Sequence, residues 1–193
     1  MIFVSSPKYW EGRLPTKSSR LVSTLVVLSV MSVSLFAQQI SPRTEEYIQR
    51  EVRHELLMLP YLTVFDNLTY RVDGYTVTLM GQVTDPVVKS DAGNTVKQIE
   101  GVEKVVNQIE VLPLSPMDQQ LRLRVYRAIY DYPALQRYAL PVIEPIRIVV
   151  KNGHVTLEGI VDSEGDKNIA GLRASGVPGI FSVTNNLAVA QPK

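Results

Sequence analysis

One segment of this chain occurs twice, and that internal repeat restricts the possible folds more than any other feature of the sequence. Residues 77–111 and 155–189 align at a constant offset of 78 without a gap, and 12 of these 35 positions are identical. A looser similarity continues upstream at an offset of 73, where Ile48, Val52, Leu56 and Pro60 correspond to Leu121, Val125, Ile129 and Pro133. The chain is therefore predicted to contain two tandem copies of one small fold, with a short insertion in the second copy.

Each copy begins with a predicted helix. Apolar residues at 48, 52 and 56, and at 121, 125 and 129, have the spacing of one buried helical stripe. Ser41-Pro42 and Ser115-Pro116 precede these stripes. A serine cap followed by proline is typical of a helix start, because proline lacks only a donor that would be unpaired there anyway. We expect helices over about residues 44–58 and 117–131.

A hairpin, a second helix and a last strand follow in each copy. The segments LTYRV and IRIVV run into Asp73-Gly74 and Asn152-Gly153, dipeptides typical of tight turns between antiparallel strands. The next strands, VTLMGQV and VTLEGIV, lead to helix starts near Asp85 and Ser163, and VVNQIEV and VTNNLAV are the last strands. The predicted class is α+β: two tandem small αββαβ domains, each a three-stranded mixed sheet covered by two helices.

Glycine and asparagine recur on the apolar faces of these strands. The period of two places Gly81 and Gly159 on the inner face of the hairpin, where glycine weakens a strand unless another group comes close. We therefore expect a helix to pack closely against the sheet at both glycines. Asn107 and Asn185 lie on the inner face of the last strand, and we expect loop backbone groups to satisfy their amides.

The repeated pattern is similar to that of a known family. Both copies contain V-x-L-x-G-x-V, an alanine in the following helix, and G-(V/I)-x-x-V-x-N-x-(I/L)-x-V. This arrangement resembles the BON domain, named for bacterial osmotically induced periplasmic and nodulation proteins, over about residues 44–111 and 117–189. The resemblance implies an envelope-associated binding module with a link to stress response. Such modules are often thought to contact phospholipid or other envelope surfaces, and the resemblance supplies no catalytic residues.

The N-terminal segment differs from the rest of the chain. Four basic residues and one acid precede an apolar run at residues 21–37. This order is typical of a secretory signal peptide, and we expect cleavage after Ala37. An uncleaved anchor is the alternative, because a small residue is preferred three positions before the cleaved bond and Leu35 is large. The apolar run is, however, short for a membrane span. The predicted boundaries are a signal peptide at 1–37 and domains at 41–112 and 115–190.

Charge and composition exclude several classes of function. The chain has 20 basic and 19 acidic residues and no Lys/Arg cluster of the kind that binds nucleic acid. Loss of residues 1–37 would leave 16 basic and 18 acidic residues, so the mature chain would be mildly acidic. The absence of cysteine excludes disulfides, zinc–thiolate sites and a lipidated cysteine.

The sequence predicts no catalytic residue, metal site or cofactor. His54 and His154 are the only histidines, and neither has partners at metal-ligand spacing. The serines lack the setting of a nucleophile elbow, and GLRASGVPG lacks the Gly-Lys-Ser/Thr ending of a phosphate loop. We therefore expect a non-enzymatic protein.

The candidate binding surface lies on the first helix of the second copy. Once positions 121, 125 and 129 face inward, an adjoining face combines aromatic residues with arginines, which suits the headgroup region of a membrane. The corresponding helix of the first copy is rich in glutamate, and the insertion adds Tyr138, Leu140, Val142 and Ile143 beside the basic face. The predicted lipid-binding or partner-binding residues are Arg122, Leu123, Arg124, Tyr126, Arg127, Tyr130 and Tyr138.

Two kinds of partner suit this surface. The leading prediction is an exported protein of the periplasm or cell envelope, soluble or peripherally membrane-associated, that binds anionic phospholipid through its second domain. The alternative partner is an envelope protein, in a chaperone-like or scaffold role, because apolar surface without the arginines would serve that purpose. A third interpretation is that these side chains pack against the first domain, since the linker LPLSP at 112–116 is short. The sequence does not determine the oligomeric state.

Overall fold

The computed structural model describes residues 42–141 and 143–191, and these belong to one compact unit. The predicted signal peptide, Ser41 and Val142 lie outside the described residues. Within the two described ranges, no helix is long and apolar enough to cross a membrane.

The first helix of each repeat forms where the apolar spacing predicts it. Helix α1 spans Pro42–Leu57 in the first repeat. In the second repeat the corresponding helix begins at Pro116, where the Ser115 hydroxyl oxygen accepts a hydrogen bond from the Asp118 N–H at 3.2 Å. All six residues of the two predicted stripes are buried, with exposed fractions of 5% or less. The helices therefore owe their position to burial of one apolar stripe each.

The first repeat then continues as a hairpin, a helix and a broken strand. Its elements are β1 (Asn67–Asp73), β2 (Thr76–Val83), α2 (Pro86–Val96), β3 (Lys104–Asn107) and β4 (Glu110–Val111). Strand β2 is central: β1 pairs with it in antiparallel orientation, and β3 and β4 pair with it in parallel orientation. The sheet is mixed, since it contains one antiparallel and one parallel edge. It is three strands wide because β3 and β4 are two segments of one interrupted strand.

The second repeat has the same topology. Its elements are α3 (Pro116–Tyr130), β5 (Ile146–Lys151), β6 (His154–Val161), α4 (Glu164–Ser175), β7 (Ser182–Asn185) and β8 (Ala188–Val189). Its insertion contains a short 3₁₀ helix, Gln136–Ala139. Strand β6 pairs with β5, β7 and β8 in the same senses as β2 with its partners. The predicted pair of αββαβ domains is confirmed.

An asparagine fills the break in the third strand of each sheet. The Asn107 Nδ2 donates to the Lys89 carbonyl of α2 at 2.8 Å, and its Oδ1 accepts from the Ile109 N–H at 3.2 Å. In the second repeat Asn185 makes the same two bonds, at 2.7 Å and 3.3 Å. Backbone groups thus satisfy both amides as predicted, although the acceptors belong to helices and not to loops.

The prediction for Gly81 and Gly159 is wrong about what lies close to them. A Cβ at Gly81 would lie 2.0 Å from the carbonyl oxygen of Asn67, and one at Gly159 would lie 1.9 Å from that of Pro145. The neighbour is therefore the backbone that leads into the adjacent strand, and not a helix. Both glycines also have positive φ angles, +111° and +120°, which L side chains rarely adopt. Glycine allows a local kink in each hairpin.

The segment before β1 joins the first repeat to the second. The Ile148 N–H of β5 donates to the Val64 carbonyl at 2.9 Å, and the Val64 side chain is part of the core of the second repeat. Asp66, which is buried, holds this segment by accepting bonds from the N–H and hydroxyl groups of both Thr63 and Thr84. Backbone pairing and one buried carboxylate thus both contribute to the junction between the repeats.

Candidate binding site

Three of the predicted surface residues lie in the interior, so the predicted face is smaller than expected. The exposed fractions of Arg122, Tyr130 and Tyr138 are 4%, 2% and 5%. The Tyr130 hydroxyl donates to the Ile146 carbonyl at 2.7 Å and accepts from the Ile146 N–H at 3.2 Å. Burial raises the pKa of Tyr130 above its ordinary value. These contacts place Tyr130 against β5, away from any external ligand.

Arg122 and Tyr138 have internal partners as well. Arg122 donates from Nη2 to the Val150 carbonyl at 2.9 Å, and burial lowers the pKa of its guanidinium, partly offset by the charge of Asp118. The Tyr138 hydroxyl donates to Asp166 at 3.0 Å and accepts from the Asp162 N–H at 2.8 Å. Tyr138 therefore attaches the insertion to the start of α4.

Tyr126 packs against the first repeat. Its ring meets that of Phe65 edge to face, with the ring centroids 6.2 Å apart, and it also contacts Tyr130 at 4.8 Å. Tyr126 and the exposed Leu123 line a small pocket together with the segment 63–65 of the first repeat. The interpretation that this part of the face packs against the first domain is therefore correct for Tyr126.

The remaining predicted residues, Arg124 and Arg127, border an open groove between α3 and α4. The groove has a volume of about 550 Å³, and its other lining residues are Ala128, Leu172, Arg173, Gly176, Val177 and Pro178. We call it the arginine groove. Arg173 and Leu172 were not predicted, because they lie on α4, far along the chain from α3. The signal that points to them is the comparison of the two copies, in which Asn94 and Thr95 occupy the corresponding positions.

No carboxylate neutralises the three arginines of this groove among residues 42–141 and 143–191. Arg124 donates to the Gln120 side chain at 3.2 Å and to the Pro178 carbonyl at 3.5 Å. Arg173 donates to the Ala128 carbonyl at 3.0 Å, and its guanidinium lies 4.9 Å from the centre of the Tyr132 ring. Arg127 is exposed. The groove therefore presents three uncompensated positive charges around an apolar floor.

The corresponding region of the first repeat has the opposite character. Glu51 and His54 correspond to Arg124 and Arg127, and Glu100 corresponds to Pro178. A shallow pocket of the first repeat shares only the Glu100 position with the groove, and its other lining residues are Thr44, Tyr47 and Gly101. The two repeats thus share a backbone fold and differ in the charge of this surface.

The described residues contain no group of three or more His, Cys, Asp or Glu side chains arranged to hold a metal ion. His54 is exposed on α1. His154 is exposed on β6, and its Nδ1 lies 2.7 Å from the Ser182 hydroxyl. Neither histidine lines the arginine groove.

Comparison with known proteins gives one matching family, and distantly similar solved structures include two of one secretion protein. The family model described as the BON domain matches residues 44–113 and 118–191. Two structures of the Chlamydia trachomatis type III secretion protein CdsD, one of them its C-terminal domain, are 12% and 11% identical to this chain, with TM-scores of 0.27 and 0.26. The alignments cover 75% and 74% of this chain and 93% and 96% of the other chains. No curated protein matches.

Proposed function

Since this chain belongs to the BON domain family, with one domain in each repeat, we propose that it is a non-enzymatic envelope binding module whose second domain associates with anionic phospholipid at a membrane surface. The family is generally non-catalytic and often envelope-associated. The observation that carries the proposal is the arginine groove, in which three guanidinium groups without a carboxylate partner among the described residues border an apolar floor.

Arginine is well suited to a phosphate headgroup. Its planar guanidinium presents several donors in a fork that matches phosphate oxygens. Arg124, Arg127 and Arg173 approach one groove from two helices, so that they can act on the same lipid surface. Each basic residue near an anionic membrane contributes about 1 kcal/mol of attraction. Three of them support an affinity change of about a hundredfold, provided that the ionic strength is low.

The proposed function requires that the protein is exported from the cytoplasm. The apolar run at residues 21–37 and its basic flank support delivery to the periplasm or cell envelope, with a mature chain that begins near Gln38. N-terminal sequencing of the protein recovered from cells tests this point. A full-length chain that stays in the membrane pellet after a carbonate wash would instead indicate an uncleaved anchor.

Co-sedimentation with vesicles tests the lipid assignment. The protein should bind vesicles of equimolar phosphatidylglycerol and phosphatidylcholine but not vesicles of phosphatidylcholine alone. Joint substitution Arg124→Gln, Arg127→Gln and Arg173→Gln should weaken binding by about a hundredfold at low salt. The matched control changes three exposed arginines of the first repeat to Gln, namely Arg50, Arg53 and Arg71. Because the control removes the same charge elsewhere, equal losses in both triple variants would refute the assignment.

A protein partner is the second candidate function, in a chaperone-like or scaffold role. The observation that favours it is the exposure of Leu172, which is 73% accessible at the rim of the arginine groove. An exposed apolar residue beside a groove suits a protein surface as well as a lipid. Three results together would support a protein partner. Leu172→Ala abolishes capture of an unfolded envelope protein, the arginine triple variant still captures it, and the wild-type protein does not bind vesicles.

A further inference from the structure

The loop between α4 and β7 is apolar at positions where the first repeat has acids. Phe181, the last residue of this loop, is 77% exposed, and Pro178 is exposed as well. At an offset of 78 the first repeat has Glu103 in place of Phe181 and Glu100 in place of Pro178. Burial of an apolar ring is favourable, and the other copy of the same fold has a charged residue at the position of Phe181.

The hairpin turn between β5 and β6 holds Phe181 in place. Its N–H donates to the Gly153 carbonyl at 2.9 Å. Its ring packs directly over that turn, since a Cβ at Gly153 would lie only 2.7 Å from the ring. The His154 ring lies 5.8 Å away, measured between ring centroids. Phe181 therefore packs against the turn although it is 77% exposed, and a side chain that is already held loses little conformational entropy when it binds.

The apolar loop adjoins the arginine groove. Pro178 lines the groove, and its carbonyl accepts the long bond from Arg124. Leu172 lines the same groove from the last turns of α4 and is almost as exposed as Phe181. Cations next to protruding apolar side chains match the two layers of a membrane interface, in which phosphate groups lie above the ends of the acyl chains.

We propose that Phe181, Pro178 and Leu172 enter the boundary between headgroups and acyl chains of an anionic bilayer while the three guanidinium groups remain at the phosphates. This inference rests on the proposed function and adds to it the element that penetrates the membrane. It also specifies how the protein is oriented on the membrane. The loop between α4 and β7 points into the bilayer, and the acidic surface of the first repeat stays outside it.

A single tryptophan measures the depth of this loop. Trp10 is the only tryptophan of the chain and lies in the predicted signal peptide, so a mature protein that begins near Gln38 is a tryptophan-free background for a new probe. In this background, the emission of the Phe181→Trp variant should shift to shorter wavelength on vesicles of equimolar phosphatidylglycerol and phosphatidylcholine. Brominated acyl chains should quench that emission. Glu103→Trp, at the corresponding position of the first repeat, is the matched control and should show neither effect.

Salt separates the contribution of the loop from that of the arginines. Phe181→Ala should weaken vesicle binding about tenfold or more at low and at high salt, because apolar insertion is not screened. The arginine triple variant should lose affinity mainly at low salt. Thermal unfolding of Phe181→Ala checks that the hairpin turn survives, and the fluorescence of Phe181→Trp, which keeps an aromatic ring, does not depend on that variant.

The outcomes distinguish the inference from the proposed function. Vesicle binding that depends on the arginines, together with an unquenched Phe181→Trp probe, would overturn the insertion of the loop and leave the proposed function intact. A wild-type protein that does not sediment with anionic vesicles at any salt would overturn both. Quenching of the Glu103→Trp control to the same extent would refute the orientation, because the first repeat would then also enter the bilayer.

Discussion

The side-chain nitrogen of Asn185 lies 2.7 Å from the point that a Cβ at Gly171 would occupy. Gly93 and Asn107 have the same relationship in the first repeat, at 2.8 Å. The missing side chain lets each asparagine reach a helix carbonyl and so connect the broken third strand to the helix above it. Both repeats therefore contain glycine and asparagine as a coupled pair.

Gly171→Ala should destabilise the protein by about 2–3 kcal/mol, because the new methyl group displaces Asn185 and leaves the Leu187 N–H without its acceptor. This loss should outweigh the gain of about 1 kcal/mol in helix propensity. Urea unfolding measures the difference. Gly165→Ala in the same helix is the control, since its Cβ would meet only the Ser163 hydroxyl at 3.5 Å, and it should be neutral or slightly stabilising. Equal losses in both variants would contradict the coupling.

Gly159→Ala should cost more than about 3 kcal/mol, because the backbone has a positive φ angle and the Cβ would overlap the Pro145 carbonyl. Glu158→Ala changes the preceding residue, whose carboxylate has only an exposed contact with Asn186, and should cost less than about 0.5 kcal/mol. Thermal unfolding of the two variants provides the comparison. Tolerance of alanine at Gly159 would show that the kink does not require glycine.

Arg122→Gln should lower stability by about 2–4 kcal/mol, because the buried guanidinium supplies the bond to the Val150 carbonyl. Arg127→Gln on the exposed side of α3 should leave stability within about 0.5 kcal/mol. Denaturant unfolding of each variant tests the assignment of Arg122 to the interior and Arg127 to the surface. If Arg122→Gln were as stable as wild type and lost vesicle binding, Arg122 would belong to the binding surface after all.

Asp66→Asn should destabilise the junction between the repeats by about 2–4 kcal/mol, because the amide nitrogen would face the donors of either Thr63 or Thr84, which now bind a carboxylate oxygen. Amide exchange at Ile148, whose N–H pairs with Val64, should accelerate in parallel. The control is Asp73→Asn, an exposed carboxylate paired only with Arg71. Unchanged exchange at Ile148 would mean that Asp66 does not hold the junction.

Asp166 should make the second repeat sensitive to acid. Burial acts to raise the pKa of Asp166, but hydrogen bonds from Ser163 and Tyr138 and the charge of Arg137 outweigh it, so that the pKa is lowered from its ordinary value of 3.8. A lowered pKa in the folded state contributes stability above the unfolded value, and this contribution is lost as the pH falls through the folded value. The stability gap between wild type and Asp166→Asn should therefore narrow below about pH 4. A gap that stays constant in acid would contradict this role.

The fold could be predicted from the sequence because the same pattern occurs in both repeats. Each helix stripe and each hairpin is a local pattern, set by the 3.6-residue and 2-residue periods of the backbone, and each occurs twice in the chain. The same local reasoning was wrong for Gly81 and Gly159. Their close neighbour is determined by how two strands pair and by a backbone kink, and neither of these follows from the period of side chains along one strand.

The sequence by itself determined the duplicated αββαβ topology, the buried stripes and the presence of basic residues on α3. All three can be read from the pattern of residues that are close together in the chain. Only the tertiary structure decided which of those residues reach solvent. Strand β5 covers Arg122 and Tyr130, and Tyr138 binds to the start of α4. Phe65 covers part of Tyr126, and α4 brings Arg173 and Leu172 beside Arg124. A helical pattern gives the direction of each side chain around one axis. The exposure of a side chain depends on distant segments that pack against that helix, so it is settled only when the whole core is assembled.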